Sequence, residues 1–300
     1  MVNLFISHRP YTDVGYLPLL FAAFPMVIQV LNLGRVSYET ALQLQRTLLQ
    51  LRKAGRIGNT LLLLEHPPVI TLGRNARLDN VLASPEFLAQ RGVALFEIDR
   101  GGDVTFHGPG QLVAYPIFDL RSFEPKVGAV EFVRRLEEVL IRTCGDFGIG
   151  TQRIKGLTGV WTYALRNKPE AKIAAIGVHI SRGVTTHGFA LNVSTDLDFF
   201  TLIVPCGIAN KPVTSMEREL QKPLTVDEVV TSASRNFGRV FQSQMLWLES
   251  LDDLLAGTGE PEKASVAARP EASEPPANQD TPARPPNELR KVHGDGGELA

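Results

Sequence analysis

Three short runs in this 300-residue chain combine residue types that could do chemistry: Arg100–Gln111, which reads RGGDVTFHGPGQ, Lys172 at the head of an apolar run, and Pro205-Cys206-Gly207. A cysteine between proline and glycine is read in two ways. It is a small core residue, or it is a nucleophile presented by a rigid neighbour, with the unobstructed Gly207 N–H as a candidate oxyanion donor. Lys172 likewise is a solvated lysine after a polar loop or one aimed into a site. Were Lys172 to approach Cys206, its ammonium would favour the thiolate and its neutral form could take a proton from an incoming amine. That pairing would make a compact acyl-transfer site. Cys144, between threonine and glycine near a helix end, reads as structural filler.

The glycine-rich run reads as a loop that shapes a binding surface, since glycine forfeits backbone entropy and proline lacks a donor. His107 within it is a substrate-contact candidate, and His187 also sits beside a glycine. The run has no Gly-Lys-Ser/Thr ending and does not fit the dinucleotide fingerprint. No pair of histidines has the spacing of a zinc site, so no metal is expected.

The elements that must position these residues alternate between helix and strand. Val27–Leu33 reads as a strand and Ser37–Ala54 as a helix with Ser37 as N-cap and a leucine-rich stripe. Strands are expected at Thr60–Leu64 and Val69–Leu72, meeting at the corner Glu65-His66-Pro67-Pro68, with a short helix from Ser84-Pro85-Glu86. Val93–Ile98 and Leu112–Phe118 flank the glycine run as strands, and Val127–Phe147 is the longest expected helix. Gly159–Ala164, Lys172–Ile180 and Val184–Val193 read as strands, the last two joined by Ser181-Arg182-Gly183 and so antiparallel; helices follow at Val213–Leu220 and Val226–Phe241. The expected fold class is α/β or α+β, a mixed, largely antiparallel sheet flanked by helices.

Composition divides the chain into a poorly ordered extension over residues 1–25, a globular domain over 26–256 and a disordered acidic, proline-rich tail over 257–300. The formal net charge of −1 gives no sign of a nucleic-acid partner. No apolar run approaches the roughly 20 residues that a membrane-spanning helix needs. Two cysteines suit a reducing compartment, so the expected location is cytoplasmic.

The motifs taken together resemble the lipoyl(octanoyl) transferase family. The likeness runs from about Val27 to Trp247 and rests on Arg100–Gln111, Lys172 with Ala175-Ile176-Gly177, His187–Asn192 and Pro205-Cys206-Gly207, in that order. It implies the fold of biotin and lipoate protein ligases. It implies that Cys206 is the acyl-thioester nucleophile and that Lys172 lowers its pKa and assists proton transfer. It also implies that Arg100, Gly101, Gly102, Asp103, Val104, Thr105, Phe106, His107, Ala175, Ile176, Gly177, Gly188, Phe189 and Ala190 line the site for the octanoyl group and the acceptor lysine. Phe106 stands where tyrosine is common, which removes a hydroxyl and keeps the ring.

The activity so implied is transfer of octanoyl from octanoyl-acyl carrier protein to a lysine of lipoyl domains or the glycine cleavage H protein, with neither ATP nor metal as cofactor. Arg74, Arg77, Arg121 and Arg182 are candidates for basic patches that meet an acidic carrier. Two rival readings are an ATP-dependent lipoate or biotin ligase of similar fold and a non-catalytic module that docks the same partners.

Overall fold

The structure, a computed structural model, describes residues 26–165, 168–205 and 211–256. The two terminal segments read as extension and tail, and Cys206 with Gly207, lie outside the described residues.

The chain opens with strand β1 (Met26–Arg35) and helix α1 (Tyr38–Lys53), whose N-cap is Ser37: the serine oxygen accepts from the Thr40 N–H. Strand β2 (Asn59–Glu65) follows. Its four leucines are buried on both faces, Leu61 and Leu63 in one core and Leu62 and Leu64 in another, because successive side chains of a strand point to opposite sides. At His66-Pro67-Pro68 the chain leaves this sheet and enters a second with β3 (Val69–Leu72). Helix α2 (Pro85–Gln90) has Ser84 as N-cap and Pro85 in its first turn, where the missing N–H costs nothing. It leads to β4 (Ala94–Glu97).

The run expected to be a loop throughout holds a strand at its centre. Val104–His107 forms β5, pairing antiparallel with β3. Val-Thr-Phe-His has the β-branched and aromatic character of a strand, and the glycines on either side only supply its turns. The flanking strands also belong to different sheets: β4 lies in the small sheet of order β4-β3-β5, whereas β6 (Gln111–Ile117) lies in the large one.

Helix α3 (Ala129–Asp146) is followed by β7 (Thr151–Ile154), β8 (Leu157–Thr162), β9 (Lys172–Ser181) and β10 (Val184–Asn192). The β9–β10 turn has Arg182 at φ 51° and Gly183 at φ 83°, left-handed values that suit a tight antiparallel hairpin. A short 3₁₀ segment, Leu197–Leu202, precedes the chain's approach to Pro205. Helix α4 (Met216–Leu220) begins three residues later than its apolar pattern suggests, because Val213 is bridged to Lys172 and Ser215 is the N-cap. Helix α5 (Val226–Phe241) carries a reciprocal capping box between Thr225 and Glu228, and β11 (Ser243–Trp247) and α6 (Leu251–Leu255) complete the described chain.

The large sheet has the order β11-β1-β2-β6-β10-β9-β8-β7. It is parallel across β11, β1 and β2 and antiparallel from β2 onward, the mixed, largely antiparallel sheet expected. Helices α3 and α5 cover one face over a core that includes Phe118, Phe132, Leu136, Val229 and Phe237. Helix α1 covers the other face through Ala41, Leu44, Leu48 and Leu51. The small sheet encloses a third core around Ile70, Val104 and Phe106.

Candidate active site

A cavity of about 300 Å³ opens where β9 and β10 of the large sheet meet the glycine-rich run. Its floor follows from strand register. Ala175, Ile176 and Gly177 of β9 stand directly opposite Ala190, Phe189 and Gly188 of β10, so two motifs far apart in sequence line one surface. The Gly101 N–H donates to the Val178 carbonyl (3.0 Å) and lays the run across β9. A Cβ at Gly177 would stand 2.8 Å from the Gly101 oxygen, so this approach requires glycine.

Of the run itself, Arg100, Gly102, Asp103, Thr105 and His107 line the cavity. Gly101, Val104 and Phe106 do not. Alternation along β5 turns Thr105 and His107 to the cavity and Val104 and Phe106 into the third core, where the Phe106 ring stacks on Phe199 at 4.7 Å. Arg100 is buried and bound to the small sheet, Nη2 donating to the Thr71 carbonyl (2.7 Å) and Nη1 to the Gly101 carbonyl (3.0 Å).

One end of the cavity is built from aromatic and imidazole rings, those of Tyr38, His107, Tyr115 and His187. Around them the hydrogen bonds fix tautomers. The carbonyl of Val36 lies 2.7 Å from His66 Nδ1, which therefore donates, and the Tyr115 hydroxyl donates to His66 Nε2 (2.8 Å). His107 Nδ1 donates to Gln111 Oε1 (2.8 Å), whose amide nitrogen donates in turn to Asn192 Oδ1 (2.8 Å). Burial pushes His66 down to about 4 and His107 down to about 3, so both rings are neutral near pH 7. Burial also lowers His187, partly offset by Asp99, to which its Nε2 bonds at 2.8 Å. Asp99 in turn is held at about 2, chiefly by that hydrogen bond.

Lys172 is buried at the other end and lines both the cavity and a small neighbouring recess that Pro205 also walls. Pro205 immediately precedes Cys206 in the chain. Cys144 lies fully buried among aliphatic and aromatic side chains, its thiol pushed up to about 12 by burial, as suits filler. Among the described residues, no group of histidine, cysteine and acidic side chains could hold a metal ion, and no helix is long and apolar enough to cross a membrane.

Tyr38, Tyr115 and the run Gly156-Leu157-Thr158, where β8 begins, also line the cavity and escaped the reading of the sequence. A tyrosine inside the aliphatic run of β6 was the available signal, because its buried hydroxyl needs a partner and His66 is one. The four arginines proposed for basic patches are only partly grouped. Arg121 pairs with Asp119 beside the hairpin turn that carries Arg182, whereas Arg77 pairs with Asp79 elsewhere.

Comparison with known proteins bears on this arrangement. Residues 37–238 match the family model for the lipoyl protein ligase A/B catalytic domain. An octanoyltransferase of Koribacter versatilis is 64% identical over 269 residues, covering 90% of this chain and 98% of its own. That stretch is longer than residues 26–256, so this relative shares part of a terminal segment as well. An octanoyltransferase of Acidobacterium capsulatum is 63% identical over 237 residues, with 77% and 96% covered.

Among solved structures, that of a bi-partite lipoate protein ligase and its E2 lipoyl domain from Thermoplasma acidophilum gives a TM-score of 0.56 at 16% identity, over 78% of this chain and 91% of that one. A lipoate-protein ligase A bound with ATP gives 0.56 at 15% identity, over 76% and 89%. The fold is thus that of the lipoate protein ligases, and the chain belongs to the octanoyltransferases of the lipoyl protein ligase A/B catalytic family.

Proposed function

We propose that this acyltransferase takes octanoyl from octanoyl-acyl carrier protein and gives it to a specific lysine of a lipoyl domain or glycine cleavage H protein, through a thioester on Cys206. The observation that carries the proposal is the position of Lys172, buried in the lining of a cavity and sharing a recess with Pro205. Cys144 supports it from the other side, since a thiol held near 12 supplies almost no thiolate at neutral pH.

In the first half-reaction the Cys206 thiolate adds to the carrier's thioester carbonyl, the carrier thiolate leaves, and octanoyl stays on the enzyme. One thioester replaces another, so no ATP is consumed and no metal is required. In the second, the acceptor's ε-amine attacks the acyl-cysteine, an amide forms, and the Cys206 thiolate departs. An amine is mostly protonated near pH 7, so it attacks as the minor neutral form; the Lys172 ammonium has by then given its proton to the departing carrier thiolate, and the neutral Lys172 so left takes the proton that the acceptor nitrogen loses as the amide forms.

The cavity suits the acyl tail. Its volume lies at the lower limit of small-ligand pockets, roughly 300–1,000 Å³. Each methylene buried there contributes about 0.8 kcal/mol. The neutral imidazole of His107 adds no charge to the wall, and the Arg100 guanidinium is bonded to the Thr71 and Gly101 carbonyls. The reaction is assigned to the cytoplasm, where a free thiol persists.

The test is intact-protein mass spectrometry of wild type, Cys206→Ala and Cys144→Ala after incubation with octanoyl carrier protein and no nucleotide. An octanoyl adduct on wild type and Cys144→Ala alone is expected. No adduct on any of the three, with activity restored by ATP, would transfer the assignment to a ligase. Partner binding without any adduct would leave a docking module.

A further inference from the structure

Lys172 is the first residue of β9, and its backbone is clipped to residues 212–214: its N–H donates to the Pro212 carbonyl (2.8 Å) and its carbonyl accepts from the Thr214 N–H (2.9 Å). Its side chain is held from β8 instead. Trp161, its cross-strand partner, is 1% exposed, and the Lys172 Nζ lies 4.8 Å from the centre of the indole ring. Lys211, paired with Glu170, brings a second ammonium within 5.8 Å of the same ring.

The indole N–H finds no hydrogen-bond partner among the described residues, although it is buried. A buried donor left so is a cost that phenylalanine or leucine would avoid, so what the site uses in Trp161 is the electron-rich face, which is best in tryptophan. Two residues earlier, Gly159 has φ 115°, and a Cβ there would stand 2.6 Å from the Ala174 oxygen and 3.4 Å from Lys172 Cε. Glycine therefore leaves the slot in which the lysine stem lies. This stretch of β8 is fastened to α3, the Gly159 N–H donating to the fully buried Glu137 (3.3 Å), which Arg134 (2.7 Å) and Arg153 (3.1 Å) neutralise.

We propose that Trp161 is a positioning residue for acyl transfer: its ring face holds the Lys172 ammonium against the cavity, in a slot that Gly159 keeps open. The proposal rests on Lys172 acting in acyl transfer. In pre-steady-state octanoyl loading from octanoyl carrier protein, Trp161→Leu is expected to lower the rate constant roughly 10- to 30-fold, the scale of a desolvated cation–π contact, with the carrier's KM within about twofold. Trp161→Phe, which keeps a weaker ring face, should recover most of the rate. A Trp161→Leu variant that loads at the wild-type rate, a loss confined to KM, or a phenylalanine variant as slow as leucine would each overturn it.

Should Trp161→Leu fail to fold, fluorescence decides. The chain has two tryptophans, so Trp247→Phe on exposed β11 leaves Trp161 as the sole indole. Adding Lys172→Met to that background should change the Trp161 emission by removing an adjacent ammonium, and an unchanged spectrum would refute the contact. Full octanoyl loading by Lys172→Met would sink the assigned role of Lys172 instead, and would leave the emission result to judge the placement.

Discussion

The two ends of the cavity treat charge in opposite ways. At the Lys172 end an ammonium is kept beside the face of Trp161, with a second ammonium, that of Lys211, on the same ring. At the other end four imidazole and phenol rings and the neighbouring His66 are packed so tightly that burial strips His66 and His107 of their protons. Both ends are polar by composition, but at the ring end His66 and His107 are neutral, and the charged groups, Arg100 and Asp99, are taken up by the Thr71 carbonyl and by His187. The difference is made by partners: neutral hydrogen-bond partners such as the Val36 carbonyl and Gln111 do not offset the desolvation of a cation. The proposed reaction uses this asymmetry, with a proton-handling group for the thioester carbonyl and neutral rings beside its tail.

The largest effect should come from abolishing the charged end. Lys172→Met is expected to slow octanoyl loading and transfer by about 10²- to 10⁴-fold, the usual worth of a positioned acid–base group, measured by single-turnover assay. A loss under tenfold would remove the lysine from the chemistry.

At the neutral end the effect is on stability. His66 and His107 are neutral in the fold but protonate near 6.5 when unfolded, so the unfolded chain binds more protons below that pH. Their contribution is complete above pH 6.5 and is lost progressively as the pH falls toward about 4 for His66 and about 3 for His107. Each adds up to about 1.4 kcal/mol per pH unit to the slope. In urea titrations between pH 6.5 and 5, above the range in which carboxylates protonate, His107→Gln should remove one such share. An unchanged slope would mean that the ring is charged in the fold.

Much of the scaffold around the cavity is legible in the sequence, but the charge asymmetry of its two ends is not. The β9–β10 hairpin followed from Ser181-Arg182-Gly183, and once it is antiparallel, Ala175–Gly177 and Gly188–Ala190 have to face one another. Ser37 and Ser84 announced their helices because capping is a local interaction. β5 was hidden by the glycines around it, and Phe106 was assigned to the site because membership of a motif says nothing about which face of a strand a residue takes. β7 and β11 are short edge strands without clear alternation, stabilised by their neighbours rather than by their own pattern. Trp161 and Tyr38 were invisible because a ring's role arises from what it packs against, across strands or between helix and sheet.

A gentler perturbation enlarges the neutral end without adding charge. Tyr38→Val removes a ring from the cavity wall and should shift acyl preference toward longer chains, raising decanoyl over octanoyl loading by roughly fourfold per extra methylene accommodated, from about 0.8 kcal/mol each. Competition between the two carrier thioesters measures it. A ratio that does not move would place the end of the acyl chain elsewhere.

The smallest effect belongs to the other cysteine, and it isolates environment from residue type. Cys144 has a sulfur like that of Cys206, but it lies at 0% exposure in the core under α3, where burial raises its thiol to about 12. Near pH 7 it holds almost no thiolate, so it has no means of attacking a thioester. Cys144→Ala should therefore load octanoyl to the same stoichiometry and at the same rate as wild type, and should lose only about 1 kcal/mol of stability, the scale of one buried methylene-sized group. A loading defect without a matching loss of stability would mean that the core under α3 opens to the carrier, contrary to the close packing of Cys144 against its neighbours.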